Sequence, residues 1–298
     1  MKQQGVARCR KAFESLVGLL IPLLVLCACR GTFESLSRKE ARIADQSQDS
    51  EPVLVRIAAC SGALPLADDL TGAYGAEDAH LLFDLVPASS RTAAELLLAA
   101  QADLAIVGGA ANVNIVSKES TDGRGIRSQV LATDAIAIIV HKDWPLDGLS
   151  TSELAALFAG YHLDWKELEA GSGRPEMVCR EQGSASQIVF EQIVMGESPV
   201  SSSAILMPHD RGVVEYVALH PGAIGYTSAA YVDDRVKLVS LDGALPTANK
   251  VERGKYPLTY PLVLLTSPRA PREASRLVEF AKSSQGRRII RQRYVVPR

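Results

Sequence analysis

Short apolar segments alternate with helix-forming segments along most of this 298-residue chain, and no other feature restricts its fold as strongly. The strand candidates are residues 53–59, 102–107, 135–140, 222–226, 236–239 and 262–266. The helix candidates are residues 66–74, 92–100, 151–159, 186–195, 212–219, 271–281 and 285–292. This alternation predicts an α/β fold with largely parallel sheets. Such sheets bind ligands at the carboxyl ends of their strands, so a binding site is expected there.

Two of the predicted helices carry a clear start signal. Thr92 with Glu95, and Ser150 with Glu153, have the spacing of a capping box, in which the two side chains satisfy backbone N–H groups reciprocally. Gly160 stands where the second of these helices needs a left-handed residue just past its end. The helices are therefore predicted to begin after Thr92 and Ser150.

An anion site is predicted between residues 178 and 187, where a cation and two serines precede an apolar helical run. Ser184 and Gln187 have capping-box spacing, so Ser184 is expected to cap the helix. The unpaired N–H groups and the dipole at a helix start attract an anion. Arg180 adds a planar fork of donors that suits an oxyanion. The alternative is a capped helix start that binds nothing, beside a solvated arginine.

Residues 1–28 have the pattern of a secretory signal peptide. Four basic residues precede an apolar stretch at 16–27, which is too short to span a bilayer comfortably. The sequence around Cys29 resembles the lipobox of bacterial lipoproteins, which implies cleavage before Cys29 and a lipid on its thiol. The alternative is an uncleaved signal anchor. Residues 29–52 are polar and charge-mixed, and are predicted to be a flexible tether.

Charge and cysteine content exclude several classes of function. Loss of residues 1–28, with four basic residues and one acidic residue, changes the formal net charge from −2 to −5. An acidic domain argues against a nucleic-acid partner. Cys60 and Cys179 remain in the folded part and are expected to be buried thiols, although an exported pair could also form a disulfide. No Cys/His cluster has metal-ligand spacing, so no metal site and no cofactor are predicted.

Several motifs occur in the order found in the solute-binding lipoproteins of bacterial phosphate ABC transporters. They are residues 132–140 (ATDAIAIIV), 149–154 (LSTSEL), 158–160 (FAG), 164–168 (DWKEL), 180–186 (REQGSAS), 221–226 (PGAIGY), 241–243 (LDG) and 256–261 (YPLTYP). From about Val55 to its end, the chain resembles this family.

The resemblance implies the type II periplasmic-binding-protein fold, in which two Rossmann-like α/β lobes are joined by two crossover strands and close on a ligand. Lobe one is expected to comprise residues 53–133 and 230–298, and lobe two residues 134–229. The crossovers are expected near residues 133–134 and 226–228.

The resemblance also assigns the ligand contacts by position. In lobe two it implies an arginine, serine hydroxyls and a backbone N–H group. In lobe one it implies the N–H groups of the first loop and a hydroxyl of the next loop. The expected anion ligands are Arg180, Ser184, Ala185, Ser186, Ala63, Leu64, Ser89 and Ser90.

Two positions depart from the family pattern. Ala63 stands where the family has a hydroxyl, and Gly108 stands where phosphate-binding members have an aspartate or a serine. An acceptor carboxylate prefers protonated phosphate, because it takes the O–H that sulfate lacks. Asp134 belongs to the hinge in the family pattern and is not expected to replace it. Phosphate stays the expected ligand, with another oxyanion or a small organic acid as alternatives.

The predicted function is that of an extracytoplasmic, lipid-anchored protein on the periplasmic or extracellular face of a membrane. It captures an inorganic oxyanion, phosphate foremost, by hinge closure and delivers it to an ABC permease, and it acts as a monomer. It is not predicted to be an enzyme, because no histidine spacing ties a general base to Ser184 and the G-x-S-x-G elbow is absent. The alternative is a sensory or scaffold lipoprotein of the same fold that has lost transport.

Overall fold

The computed structural model describes residues 52–76, 80–109 and 125–297. The strands are β1 (Val53–Cys60), β2 (Leu81–Ala88), β3 (Leu104–Gly108), β4 (Arg127–His141), β5 (Gly148–Leu149), β6 (Glu176–Arg180), β7 (Ile205–Met207), β8 (Ala223–Ser228), β9 (Val236–Leu241) and β10 (Thr259–Thr266). The helices are α1 (Leu64–Gly75), α2 (Ser90–Leu98), α3 (Thr151–Phe158), α4 (Ala185–Phe190), α5 (Asp210–Leu219), α6 (Ala248–Glu252), α7 (Arg272–Lys282) and α8 (Ser284–Ile290). The predicted signal peptide, most of the predicted tether and Cys29 lie outside the described residues.

All six predicted strands and all seven predicted helices are present, with shifted ends. β2 was not predicted from the sequence, and its side chains are mostly half-buried or exposed. An edge strand with little burial carries only a weak apolar pattern, because one side of it faces solvent. β4 is longer than predicted, since its polar first residues continue the strand that the apolar segment at 135–140 marks.

The strands lie in the order β2-β1-β3-β10-β4-β8-β6-β7, with β9 beside β4 and β5 beside β9. The outer pairs are parallel, as in β1–β2 and β6–β7. At the centre, β4 runs antiparallel to β10, β8 and β9. The prediction of largely parallel sheets is therefore wrong for the centre, because β4 and its neighbours carry the chain between two groups of parallel strands.

One long strand joins these two groups. Ala135 of β4 pairs with Thr259 in β10, whereas the next residue, Ile136, pairs with Ser228 in β8. We call β2, β1, β3, β10 and residues 127–135 of β4 the first half-sheet. The second half-sheet consists of residues 136–141 of β4 together with β8, β6, β7, β9 and β5. β4 thus passes from one half-sheet to the other at residues 135–136.

The sequence predicts the second crossover near residues 226–228, and the pairing of β9 bears on this prediction. β9 pairs with the end of β4 and with β5, so it belongs to the second half-sheet, although residues 230–298 were assigned to lobe one. The Ile136 N–H donates to the carbonyl of Leu258, one residue before β10 begins. We propose that the second crossing lies near Leu258. The division into lobes itself stays a prediction.

The predicted helix starts have different outcomes. The box at Ser150 and Glu153 is formed, and Gly160 has a φ of 83°, as predicted. The start at Thr92 is wrong: Ser89 caps α2, and its hydroxyl accepts the N–H of Thr92. A serine three residues before Thr92 satisfies that N–H group, so α2 begins one turn earlier.

The core fills the space between the sheet and the helices. Phe158 and Trp165 are completely buried, and the Trp165 indole N–H donates to the carbonyl of Gly222 at 2.9 Å.

Among the described residues, no helix is long and apolar enough to cross a membrane. In the same part of the chain, no group of three or more His, Cys, Asp and Glu side chains is placed to hold a metal ion.

Candidate functional site

The predicted anion segment lies where β6 ends and α4 begins. Gly183 has a φ of 86°, a left-handed conformation that favours glycine, and it turns the chain from the strand into the helix. The Ser184 hydroxyl accepts the N–H of Gln187 at 3.2 Å, as predicted. Gln187 does not close the box on Ser184; its amide oxygen accepts the N–H of Gly183 at 2.9 Å. α4 continues into a π-helical turn, Glu191–Met195.

Arg180 is buried, and protein acceptors occupy most of its donor fork. One terminal nitrogen forms an ion pair with Asp210 at 2.5 Å, and the other forms one with Glu181 at 2.9 Å. The Nε–H donates to the carbonyl of Met207 at 3.3 Å. Burial alone would lower the pKa of Arg180, but the Asp210 and Glu181 carboxylates raise it above its ordinary value. The guanidinium therefore stays charged, and it is largely neutralised within the protein.

Asp210, which the sequence did not single out, is the partner of Arg180. It is the first residue of α5 and is fully buried. Its Oδ1 accepts the N–H of Ser228 at 2.9 Å and the hydroxyl of Thr227 at 3.2 Å. Its Oδ2 is held by the ion pair with Arg180 and accepts no hydrogen bond of good geometry from the described residues. Asp210 is thus anchored through one carboxylate oxygen.

The first half-sheet approaches this pair from the opposite side through its loops. The Ser61 hydroxyl accepts the N–H of Asp210 at 2.9 Å, and the Ser61 carbonyl accepts the hydroxyl of Tyr231 at 2.8 Å. The Ser90 hydroxyl accepts the N–H of Gly108 at 3.0 Å. Loops that follow β1 and β2 therefore face the end of β6, as expected for a site at the carboxyl ends of strands.

The cavity between these groups is small. Its volume is about 10 Å³, which is the room needed for one water molecule. It is lined by Cys60, Ser61, Gly62, Ala88, Ser89, Ser90, Arg180, Glu181, Ser184, Ala185, Ser186, Asp210 and Tyr260. The two half-sheets thus meet almost directly over the predicted anion site.

Six of the eight predicted ligand residues line this cavity, and two do not. Ala63 is fully buried and belongs to the short 3₁₀ turn Ser61–Ala63. Leu64 opens α1 and lines a separate cleft of about 440 Å³. The assignment of these two residues as ligand contacts stays a prediction. Ser61, from the same turn, lines the cavity.

The structure gives a physical reason for Gly108. A Cβ atom at this position would lie 2.7 Å from the Cβ of Ala185 and 2.8 Å from a ring carbon of Tyr260. These distances leave no room for an aspartate or a serine. The departure from the family pattern therefore accompanies a close approach between β3 and the start of α4.

We expect Gly108→Ala to lower the free energy of unfolding by about 1–3 kcal/mol, because the added methyl group forces the backbone to shift. Gly72→Ala is the matched control, because Gly72 is an exposed position of α1 and nothing lies within 4 Å of the added atom. This change is expected to stabilise the protein by about 0.5–1 kcal/mol. Urea unfolding of both variants measures the difference. Equal stability of Gly108→Ala and the wild type would contradict the close approach.

Both cysteines of the described part are free and buried, as expected. Burial raises the pKa of Cys60 to about 12 and that of Cys179 to about 12. The thiols therefore remain protonated at neutral pH, where a nucleophilic role would need a thiolate. Cys60 belongs to the wall of the cavity.

Sequence reasoning missed Asp210, Glu181, Ser61 and Tyr260 at this site. Glu181 and Tyr260 stand inside the quoted motifs, but their side chains have no assigned role in the family pattern. Asp210 stands eleven residues before the start of the segment PGAIGY. The available signal was its position as the first residue of a helix. A carboxylate at that position is equally well explained by its favourable interaction with the helix dipole, without any binding role.

This chain is similar in sequence to a known protein family and to several of its members. A family described as a PBP superfamily domain matches residues 45–283. The phosphate-binding protein PstS of Bacillus subtilis (strain 168) is 29% identical over 177 residues, which cover 59% of this chain and 58% of that protein. Phosphate-binding protein PstS 2 of Streptococcus pneumoniae serotype 4 is 26% identical over 130 residues, with coverages of 41% and 45%. The matches thus span about half the length of these curated relatives, which are binding proteins and not enzymes.

Solved structures agree on the fold. A phosphate ABC transporter substrate-binding protein from Clostridium perfringens, solved with bound phosphate, has a TM-score of 0.75 at 20% identity and covers 83% of this chain and 100% of its own. An ABC-type phosphate transport receptor from Vibrio cholerae has a TM-score of 0.63 at 23% identity, with coverages of 82% and 100%. At these identities the likeness concerns the fold, and it confirms the predicted type II periplasmic-binding-protein architecture.

Proposed function

This chain belongs to the PBP superfamily, and from that premise we propose that it is a solute-binding protein that captures a tetrahedral oxyanion, most readily phosphate. The bound anion is then passed to the permease of an ABC transporter. The names of the curated relatives support phosphate as the first ligand to test. The protein acts by binding and release, without a covalent step.

The observation that carries this proposal is a buried cation at a helix start. Arg180 ends β6 inside the cleft, four residues before Ser184 caps the helical run that continues to Met195. A guanidinium and the free N–H groups of a helix start are both donors to an oxyanion. The hydroxyls of Ser61 and Ser90 lie across the cavity and complete a ring of polar groups.

Capture requires the two half-sheets to separate. A cavity of about 10 Å³ does not hold a tetrahedral oxyanion, so the ligand must enter an open form and the loops must close over it. β4 passes through both half-sheets and is the natural axis for this movement. Closure excludes water and strengthens each hydrogen bond to the anion.

Calorimetric titration with phosphate, sulfate and molybdate tests the proposal. We expect saturable heat with phosphate for the wild-type protein, because the cleft offers a cation and several hydrogen-bond donors. Arg235→Ala is a control for the general loss of one positive charge, since Arg235 pairs with Asp233 and its side chain is half exposed. This variant is expected to bind phosphate as the wild type does. The absence of heat with all three oxyanions would remove the ligand assignment.

A specific observation also favours a second function, that of a sensory or scaffold protein that has lost transport. Arg180 is paired with two carboxylates, and the half-sheets are in contact over the cavity. A protein of this kind would bind a protein partner without binding an oxyanion. Genes for a permease and an ATPase beside the gene for this chain would argue for transport, and their absence would favour the second function.

We also propose that the protein is held in the cell envelope by a lipid on Cys29. The proposal rests on the order of basic, apolar and small residues before this cysteine. Mass spectrometry of the mature N-terminus tests it, with a diacylglyceryl-modified Cys29 as the expected result. A mature chain that still carries residues 1–28 would contradict it.

A further inference from the structure

We propose that Asp210 is a specificity-determining residue, because its carboxylate lies against Arg180 in the cavity and can accept a hydrogen bond from an oxyanion bound there. The wild-type cleft would then accept oxyanions that carry a proton and reject those that are fully ionised. This inference rests on the proposed function of oxyanion capture, and it names the residue that sets the ligand class.

One carboxylate oxygen of Asp210, Oδ2, lies beside Arg180 in the cavity. The Oδ1 atom is fixed to the N–H of Ser228 and the hydroxyl of Thr227. The Oδ2 atom points at Arg180, and both of these side chains are only 1% exposed. Among the described residues, Oδ2 accepts no other hydrogen bond. It is therefore an acceptor with spare capacity inside the cavity.

Asp210 also lies next to the other proposed ligand contacts. The backbone N–H of Asp210 donates to the hydroxyl of Ser61, and both residues line the same cavity as Ser184 and Ser186. An anion at the start of α4 would thus touch Arg180 on one side and meet Oδ2 on another. No ligand can occupy this cavity without contacting the carboxylate or displacing it.

The charges around the cavity favour a ligand that donates a hydrogen bond. Asp210 and Glu181 together more than neutralise Arg180. Asp134 is the other carboxyl group close enough to interact with Asp210, and the remaining titratable neighbours are Cys60, Tyr231 and Tyr260. Repulsion between like charges is strong in a buried site. Phosphate carries a proton at neutral pH and can donate it to Oδ2, whereas sulfate cannot.

Asp210→Asn tests this assignment. The amide oxygen of the new side chain can keep the contacts to Ser228 and Thr227, while the charge opposite Arg180 is removed. We expect sulfate affinity to rise by on the order of tenfold or more, and the preference for phosphate over sulfate to fall by a similar factor. Titration calorimetry with both anions measures these ratios at one pH.

Two control variants separate this effect from a general change in charge. Asp147→Asn removes the same charge from a side chain that is 97% exposed, and it is expected to leave the phosphate-to-sulfate ratio unchanged. Glu181→Gln removes the other carboxylate on Arg180, and a smaller rise in sulfate affinity is expected because Glu181 is 28% exposed. An unchanged ratio in Asp210→Asn would overturn the inference and leave oxyanion capture in place.

A second measurement needs no variant. In a crystal structure of the wild-type protein with phosphate, we expect a phosphate oxygen within hydrogen-bond distance of Asp210 Oδ2. A phosphate bound well away from Oδ2 would overturn the inference. If the wild type binds neither anion and Asp210→Asn binds sulfate, Asp210 excludes both anions, and the inference and phosphate capture by the wild type fail together.

Discussion

Replacing Arg180 by alanine is expected to lower the free energy of unfolding by about 3–5 kcal/mol and to remove measurable oxyanion binding. The loss of stability comes from Asp210, whose buried carboxylate would have no cation beside it. The carbonyl of Met207 would also lose one of its two donors and keep the N–H of Glu181. Urea unfolding and phosphate titration of the same preparation measure the two effects.

Arg235→Ala is the matched control for this loss. Arg235 forms an ion pair with Asp233 at 2.7 Å, but its side chain is 50% exposed, so less than about 1 kcal/mol is expected. The double variant Arg180→Ala with Asp210→Asn should recover part of the lost stability, because no buried charge is then left alone. If Arg180→Ala were as stable as Arg235→Ala, the ion pair with Asp210 would not be a buried one.

The second large effect is expected at Asp134, as a change in how stability depends on pH. Burial raises the pKa of Asp134 from 3.8 to about 7, against the opposing hydrogen bonds from Ser228 and Tyr260. Between pH 4 and pH 7 the folded state therefore binds this proton while the unfolded state has released it. The contribution of Asp134 to stability is complete below pH 4 and declines as the pH rises to about 7.

We expect Asp134→Asn to abolish this decline and to make the protein more stable than the wild type at pH 8, by roughly 2–4 kcal/mol. The amide mimics the protonated acid, since its oxygen can accept the N–H of Ala135 and its NH₂ group can donate to Tyr260. Unfolding curves at pH 5 and pH 8 measure the difference between the two proteins.

Asp147→Asn again serves as the exposed control and should change stability equally at both pH values. The prediction is wrong if the free energy of unfolding of the wild type does not fall between pH 4 and pH 7 and Asp134→Asn is no more stable at pH 8. Asp134 would then be ionised in the folded protein. Asp134 lies beside the crossing of β4, so it belongs to the region that would move in the proposed opening.

Local pattern was sufficient for most of the fold. The apolar segments and capping residues lie close together in sequence, so strands such as β1 and a helix start such as Ser150 could be predicted from their own residues. The start of α2 was missed, because two serines and a threonine compete for the same N–H groups and the sequence does not rank them. The direction of β4 was missed because pairing is a relation between distant segments.

The candidate site was also predictable only in part. Arg180, Ser184 and Ser186 lie within one short segment, and the structure brings all three to the cavity. Ala63 ends a 3₁₀ turn, Leu64 opens α1 and neither lines the cavity, so their role as ligand contacts stays a prediction. The exclusion of a side chain at Gly108 could not be predicted either, because it depends on Ala185 and Tyr260.

The order of residues was enough to predict an α/β protein of the binding-protein type, with a cation and a capped helix start in one segment. These features depend on neighbouring residues, whose spacing is visible in the chain. The pairing of the cation could be seen only in the folded structure. Arg180 meets a carboxylate 30 residues away, and that residue is in turn bonded to Ser61, at a separation of 149 residues. Contacts between such distant segments arise only when the half-sheets pack together, so the charge of the cleft is a property of the fold.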